Sequence, residues 1–174
     1  MSQSSSLRIS GSAMHAAGVL ALVLSSFLAL AQTPSLTARS IFKPAAVEYL
    51  YPEQVTLPAG KATKLALHFR IAPGLHINSH APSEDELIPT TFSIPEDSGA
   101  SLEGAVYPPG EEFTLPIDPS TKLSVYTGEF TIQASIKATT GDHLVEAKLR
   151  YQACDNNACM PPKTITVAID VVGK

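Results

Sequence analysis

Four long stretches of the chain alternate apolar and polar residues with a period of two, the signature of a half-buried β-strand. In Lys64–Ile71, Leu65, Leu67, Phe69 and Ile71 point one way, and Lys64, Ala66, His68 and Arg70 the other. Gly128–Lys137 repeats this with Phe130, Ile132, Ala134 and Ile136. His143–Tyr151 does so with Val145, Ala147, Leu149 and Tyr151, and Lys163–Val171 with Ile165, Val167, Ile169 and Val171. Turn signals separate the runs: Pro58-Ala59-Gly60, Pro73-Gly74, Pro108-Pro109-Gly110 and Thr140-Gly141-Asp142. No later segment carries a long helical stripe. Seven or eight short strands spaced by turns predict an all-β, immunoglobulin-like β-sandwich. The chain of 174 residues has no Trp, and its 2 Cys lie too close in sequence to staple distant strands. The architecture therefore rests on the strand pattern. One stretch breaks it: residues 105–121 (AVYPPGEEFTLPIDPST) hold Pro108, Pro109, Pro116 and Pro119, three acids and Phe113. They read as a long irregular loop, either functional or disordered.

The ends read differently. Residues 1–31 have the form of a secretory leader: Arg8 in a Ser-rich start, an apolar run from Ala16 to Leu30, and Ala29-Leu30-Ala31 as the cleavage signal. An uncleaved anchor fits less well, because the run is shorter than the roughly 20 residues that span a bilayer. Ser25 and Ser26 also interrupt it, and no cysteine at the cleavage point marks a lipoprotein. Residues 32–46 read as a linker and 47–174 as one domain. The mature protein is expected to be periplasmic and not membrane-spanning. Its formal net charge, -4 before Arg8 is removed, and its lack of a basic run exclude nucleic acid as a natural partner.

Cys154 and Cys159 lie between two strand patterns, in Tyr151-Gln152-Ala153-Cys154-Asp155-Asn156-Asn157-Ala158-Cys159-Met160-Pro161-Pro162. In an exported protein the plain reading is a structural disulfide. Yet so short a loop is a poor staple: the chain-entropy estimate is roughly 2 kcal/mol, against about 4.7 for a 100-residue loop. A domain of roughly 140 residues buries about two thirds of its surface and folds on its core alone. A bridge that adds little stability in an exposed turn is a candidate for an exchangeable bond. Nothing in the segment lowers a thiol pKa: Asp155 opposes thiolate formation, and no Lys or Arg lies between the cysteines.

The segment Tyr151–Pro162 (YQACDNNACMPP) resembles the active-site segment of the DsbD N-terminal domain family, the periplasmic N-terminal domains of thiol:disulfide interchange proteins. Pro73-Gly74-Leu75-His76-Ile77-Asn78-Ser79 and Leu87-Ile88-Pro89-Thr90-Thr91 are similar to a second segment of that family, and the resemblance extends over residues 47–171. It implies an immunoglobulin-like sandwich with a redox-active pair and no cofactor. Such domains take electrons from a thioredoxin-like donor fed through a membrane segment. They pass them to thioredoxin-fold proteins such as disulfide isomerases and cytochrome c maturation factors. The resemblance makes Cys159 the residue that forms the mixed disulfide and Cys154 the resolving thiol. It also implies a cap loop with a Phe, best matched by Glu112-Phe113. Two departures stand out: four residues separate the cysteines where some members have five, and His76 and Asn78 stand where those members carry aromatic residues near the site. The chain ends at Lys174 without the membrane carrier or the C-terminal thioredoxin-like domain that the resemblance implies, so a separate membrane or thioredoxin-like electron donor is expected. The protein would then be a protein-disulfide reductase component that is not self-sufficient.

The remaining residues suggest less. His76 and His80 would share a face of a regular strand, but no converging third ligand is evident and no metal is expected. His76, Asn78 and Tyr151 are site neighbours by the resemblance, His76 with a part in proton transfer. Glu84-Asp85-Glu86 and Glu111-Glu112 read as solvated loop charges, and Tyr49, Tyr51 and Tyr107 as packing. The rival reading is a secreted β-sandwich binding or adaptor module whose disulfide is purely structural.

Overall fold

A computed structural model of the chain describes residues 45–50, 54–116 and 118–174. The expected leader, the linker up to Pro44, and Tyr51 lie outside the described residues. The strands, in chain order, are β1 (Val47–Leu50), β2 (Val55–Leu57), β3 (Thr63–Ile71), β4 (His76–Asn78), β5 (Thr91–Ser93) and β6 (Ala100–Val106). They continue with β7 (Glu111–Leu115), β8 (Asp118–Tyr126), β9 (Glu129–Ala138), β10 (Gly141–Tyr151), β11 (Ala153–Cys154) and β12 (Lys163–Gly173). Among the described residues no helix is long and apolar enough to cross a membrane.

The strands form three sheets, ordered β1-β3-β9-β6, β2-β12-β10-β5 and β11-β4-β8-β7. All pairings are antiparallel except that of β12 with β2. The protein is an all-β, immunoglobulin-like sandwich. The four alternating stretches become its four long central strands, β3, β9, β10 and β12. Their inward residues, Leu67, Phe69, Ile132, Ala134, Ile136, Val145, Ala147, Leu149, Val167, Ile169 and Val171, make one core. Each large aliphatic side chain so buried contributes roughly 1.5–3 kcal/mol.

The third sheet is tied to this core by hydrocarbon and by aromatic rings. Ala153, Ile77 and Tyr126 belong to the same cluster. Tyr126 stacks on Phe130 with ring centroids 5.0 Å apart, Phe130 on Phe69 at 5.2 Å, and Tyr49 tilts against Phe69 at 5.5 Å. The Tyr126 hydroxyl donates to Pro108 O and accepts from His80 N, both at 3.0 Å, which pins two connecting segments to β8.

One expectation is corrected. Residues 105–121 are not a long loop: β6 runs to Val106, and β7 and β8 form a hairpin that turns at Pro116. The prolines hid it. They stand in the 107–110 connection, in the turn and at the exposed start of β8, where no interior ladder N–H is required. Ala46 is buried in the core, and its carbonyl accepts from Ala72 N at 3.0 Å.

Candidate redox site

Cys154 and Cys159 are joined by a disulfide across a tight hairpin, with Cα atoms 3.9 Å apart. The hairpin closes with hydrogen bonds on both sides of the bridge: Met160 N to Ala153 O at 2.8 Å and Asp155 N to Ala158 O at 3.0 Å. The two cysteines are therefore a directly opposed, non-hydrogen-bonded pair, the closest kind in an antiparallel ladder. Asp155 builds the turn. Its Oδ1 accepts from Asn157 N at 2.7 Å and Ala158 N at 2.9 Å, an Asx turn.

The bridge is asymmetric. Cys154 is only 2% exposed, whereas Cys159 lies in the exposed turn. The Cys159 side of the bridge is therefore open to solvent, and the Cys154 side is enclosed by the protein.

Register decides what Cys154 meets. β11 pairs with β4 so that Cys154 is opposite His76 and Ala153 opposite Ile77. β4 pairs with β8 through Ile77–Tyr126 and Asn78–Val125, and β8 with β7 through Leu123–Phe113 and Val125–Glu111. Opposed residues project to the same face. One face of this sheet thus carries Ala153, Ile77 and Tyr126 into the core. The other carries Cys154, His76, Asn78, Val125, Leu123 and Phe113. His76 is buried, and its ring lies under Phe113 with centroids 4.3 Å apart and planes at 34°. Burial lowers the His76 pKa below its ordinary 6.5, and the Asp155 charge pulls it the other way.

Asn78, wholly buried, donates from Nδ2 to Ile88 O at 3.1 Å and to Gln152 Oε1 at 3.2 Å. Gln152 passes the link on, donating from Nε2 to Met160 O at 3.2 Å. Thr90 Oγ1 donates to Asn78 O at 2.6 Å, which holds the 79–90 segment against the sheet. Among the described residues, His76 Nε2 and Asn78 Oδ1 are buried without a hydrogen-bond partner.

The family model for the N-terminal domain of thiol:disulfide interchange protein DsbD matches residues 46–171. The chain belongs to the DsbD N-terminal domain family. A search of curated proteins gives no match. Among solved structures, the reduced DsbD N-terminal domain of Neisseria meningitidis is similar at 20% identity and a TM-score of 0.44, covering 66% of this chain and 87% of that one. The N-terminal periplasmic domain of ScsB from Proteus mirabilis is similar at 14% identity and a TM-score of 0.47, covering 71% of this chain and 44% of that one.

The residues singled out in this DsbD N-terminal domain divide into two sets. Cys154, Cys159, His76, Asn78 and Phe113 come together. Glu112 and Tyr151 do not join them. Glu112 projects from the other side of β7 and pairs with Lys122 at 2.9 Å, in solvent. Tyr151 is buried in the main core. Phe113 sits on a strand rather than in a loop, and the ring it covers is that of His76. His76 and His80 do not converge: His80 stacks flat on Tyr107 at 3.7 Å, and its Nδ1 is 2.9 Å from Thr90 O. Sequence reading missed Gln152, Leu123 and Val125. Gln152 stood inside the cysteine motif and was the one of the three with a local signal. At the start of the Phe113 hairpin a Cβ on Gly110 would run into Ser124 Oγ and Ser79 Cβ, so a larger residue there would force these side chains to shift.

Proposed function

We propose that this DsbD N-terminal domain is an exported thiol–disulfide exchange module working on thioredoxin-fold partners, with Cys159 as the exchanging sulfur and Cys154 as the resolving one. The unequal exposure of the two cysteines carries this reading. A partner thiolate attacks Cys159 Sγ in line with the bridge. The Cys154–Cys159 bond breaks, a mixed disulfide forms, and the electron pair leaves on Cys154 Sγ. The partner's second thiol completes reduction of the domain. In the reverse sense the domain hands two electrons to an oxidised partner. Phe113 is a lid over the buried side, and Val125 and Leu123 keep that side dry. Residues 1–31 act as the leader that delivers the domain to the periplasm, where a thioredoxin-like donor supplies its electrons.

The test uses the full chain. Cys154→Ser traps a mixed disulfide with a thioredoxin-fold protein, and Cys159→Ser traps none. The reduction potential lies above about -300 mV, the region below which structural disulfides of secreted proteins fall. A lower potential with no trapped complex overturns the reading and assigns the bridge to a binding or adaptor module.

A further inference from the structure

We propose that His76 is the base for Cys154, its Nε2 taking the Sγ proton when the buried thiol attacks to close the disulfide. The assignment rests on the exchange reading above and adds to it a residue outside the cysteine motif.

Three observations point the same way. His76 stands directly opposite Cys154 in the β4–β11 register, which puts the two Cβ atoms about 4.5–5.5 Å apart on one face. Its ring is held from above by Phe113 and is only 2% exposed. Its Nε2 has no hydrogen-bond partner among the described residues. An unpaired buried nitrogen costs about 1–3 kcal/mol, and such groups call for an explanation in a native fold. Here the oxidation state supplies one. In the disulfide form Cys154 has no proton to donate. In the dithiol form it gains an S–H on the same face, at the cross-strand position opposite His76.

Cys154 needs such help. It is only 2% exposed, and desolvation disfavours a thiolate. The nearby Asp155 charge disfavours it further. Burial holds His76 toward its neutral form, the form that accepts a proton, while Asp155 acts in the opposite sense. The other charged groups near this sheet are engaged elsewhere. Glu111 on β7 shares the face with His76 through its pairing with Val125, and its carboxylate accepts from Thr127 Oγ1 at 2.8 Å, while Glu112 pairs with Lys122 on the opposite face. Phe113, Asn78 and Val125, also on the His76 face, carry no charge.

The step balances. Cys159 Sγ is joined to a partner sulfur. The Cys154 Sγ proton moves to His76 Nε2. The resulting thiolate attacks Cys159 Sγ, the Cys154–Cys159 bond forms, and the partner leaves as a thiolate carrying the electron pair. That thiolate or solvent takes the proton from the imidazolium. In the opposite direction the imidazolium returns a proton to Cys154 as the bridge opens.

The experiment is a two-phase release assay on the reduced full chain with a chromogenic aromatic disulfide. The first thiolate reports attack by Cys159, and the second reports closure by Cys154. In the wild type, closure speeds up with rising pH through an inflection below the ordinary thiol value of about 8.5. In His76→Gln and His76→Tyr, closure relative to the first phase falls roughly tenfold near pH 7, because an unaided thiol is only a few per cent thiolate there. The inflection also moves up to the thiol's own. His76→Tyr keeps a ring beneath Phe113, so it serves if the Gln variant does not fold. Unchanged closure and an unchanged pH profile in either folded variant overturn the assignment while leaving exchange intact. A wild-type chain that releases no second thiolate overturns the exchange reading itself.

Discussion

The two faces of the β11-β4-β8-β7 sheet share one backbone and differ in everything else. On the inner face Ala153, Ile77 and Tyr126 are sealed into the sandwich core. One residue away along each strand, the outer face carries Cys154, His76 and Val125, with two buried polar atoms that lack partners among the described residues. Strand periodicity lets a rigid support and a reactive surface occupy alternate positions of the same few residues. The proposed exchange puts stability on one side and chemistry on the other, so substitutions should separate them.

The largest separation is expected at Ile77. Ile77→Ala removes a wholly buried side chain of the inner face and should cost about 2–5 kcal/mol, read from the denaturant midpoint. An equal loss from Phe113→Ala, which is only half-buried, would break the comparison. Phe113→Ala should instead act kinetically, with the reduced pair oxidised several-fold faster by small disulfides; an unchanged rate removes Phe113 as a lid. The smallest effect concerns pH. The folded-state pKa of His76 lies below its unfolded value near 6.5, so the unfolded chain binds the proton more readily. This contribution to stability is whole above pH 6.5 and is lost as pH falls through the window beneath it. Thermal melts across that window should show the decline in the wild type and a weaker one in His76→Tyr.

Much of the scaffold was legible in the chain. β3, β9, β10 and β12 are long enough to display their period, and their buried residues are those the alternation selects. β4, β5 and β11 were not, since two or three residues carry no period. The prolines at 108, 109, 116 and 119 concealed β7 and β8, because a local rule against proline in strands does not know which positions are edges and turns. The cysteine pair was legible from its motif and from how little a short bridge adds to stability. Its asymmetry was not: both cysteines read as members of an exposed turn, yet Cys154 is buried on a strand that pairs with β4, far away in sequence. The pairing of His76 with Cys154 is likewise a matter of register between strands nearly half the chain apart. Tertiary packing sets that register.

The hairpin that carries the bridge has a consequence for the lifetime of complexes. Its closing hydrogen bonds, Met160 N to Ala153 O and Asp155 N to Ala158 O, and the Asp155 turn contain no sulfur. Opening the disulfide leaves them in place, so the two thiols remain opposite one another. Cys154 then faces any mixed disulfide on Cys159 at a high effective concentration, and its attack is a unimolecular event. Under the proposed exchange, a covalent partner would be released about as fast as Cys154 can ionise, and such a domain would let go rather than hold.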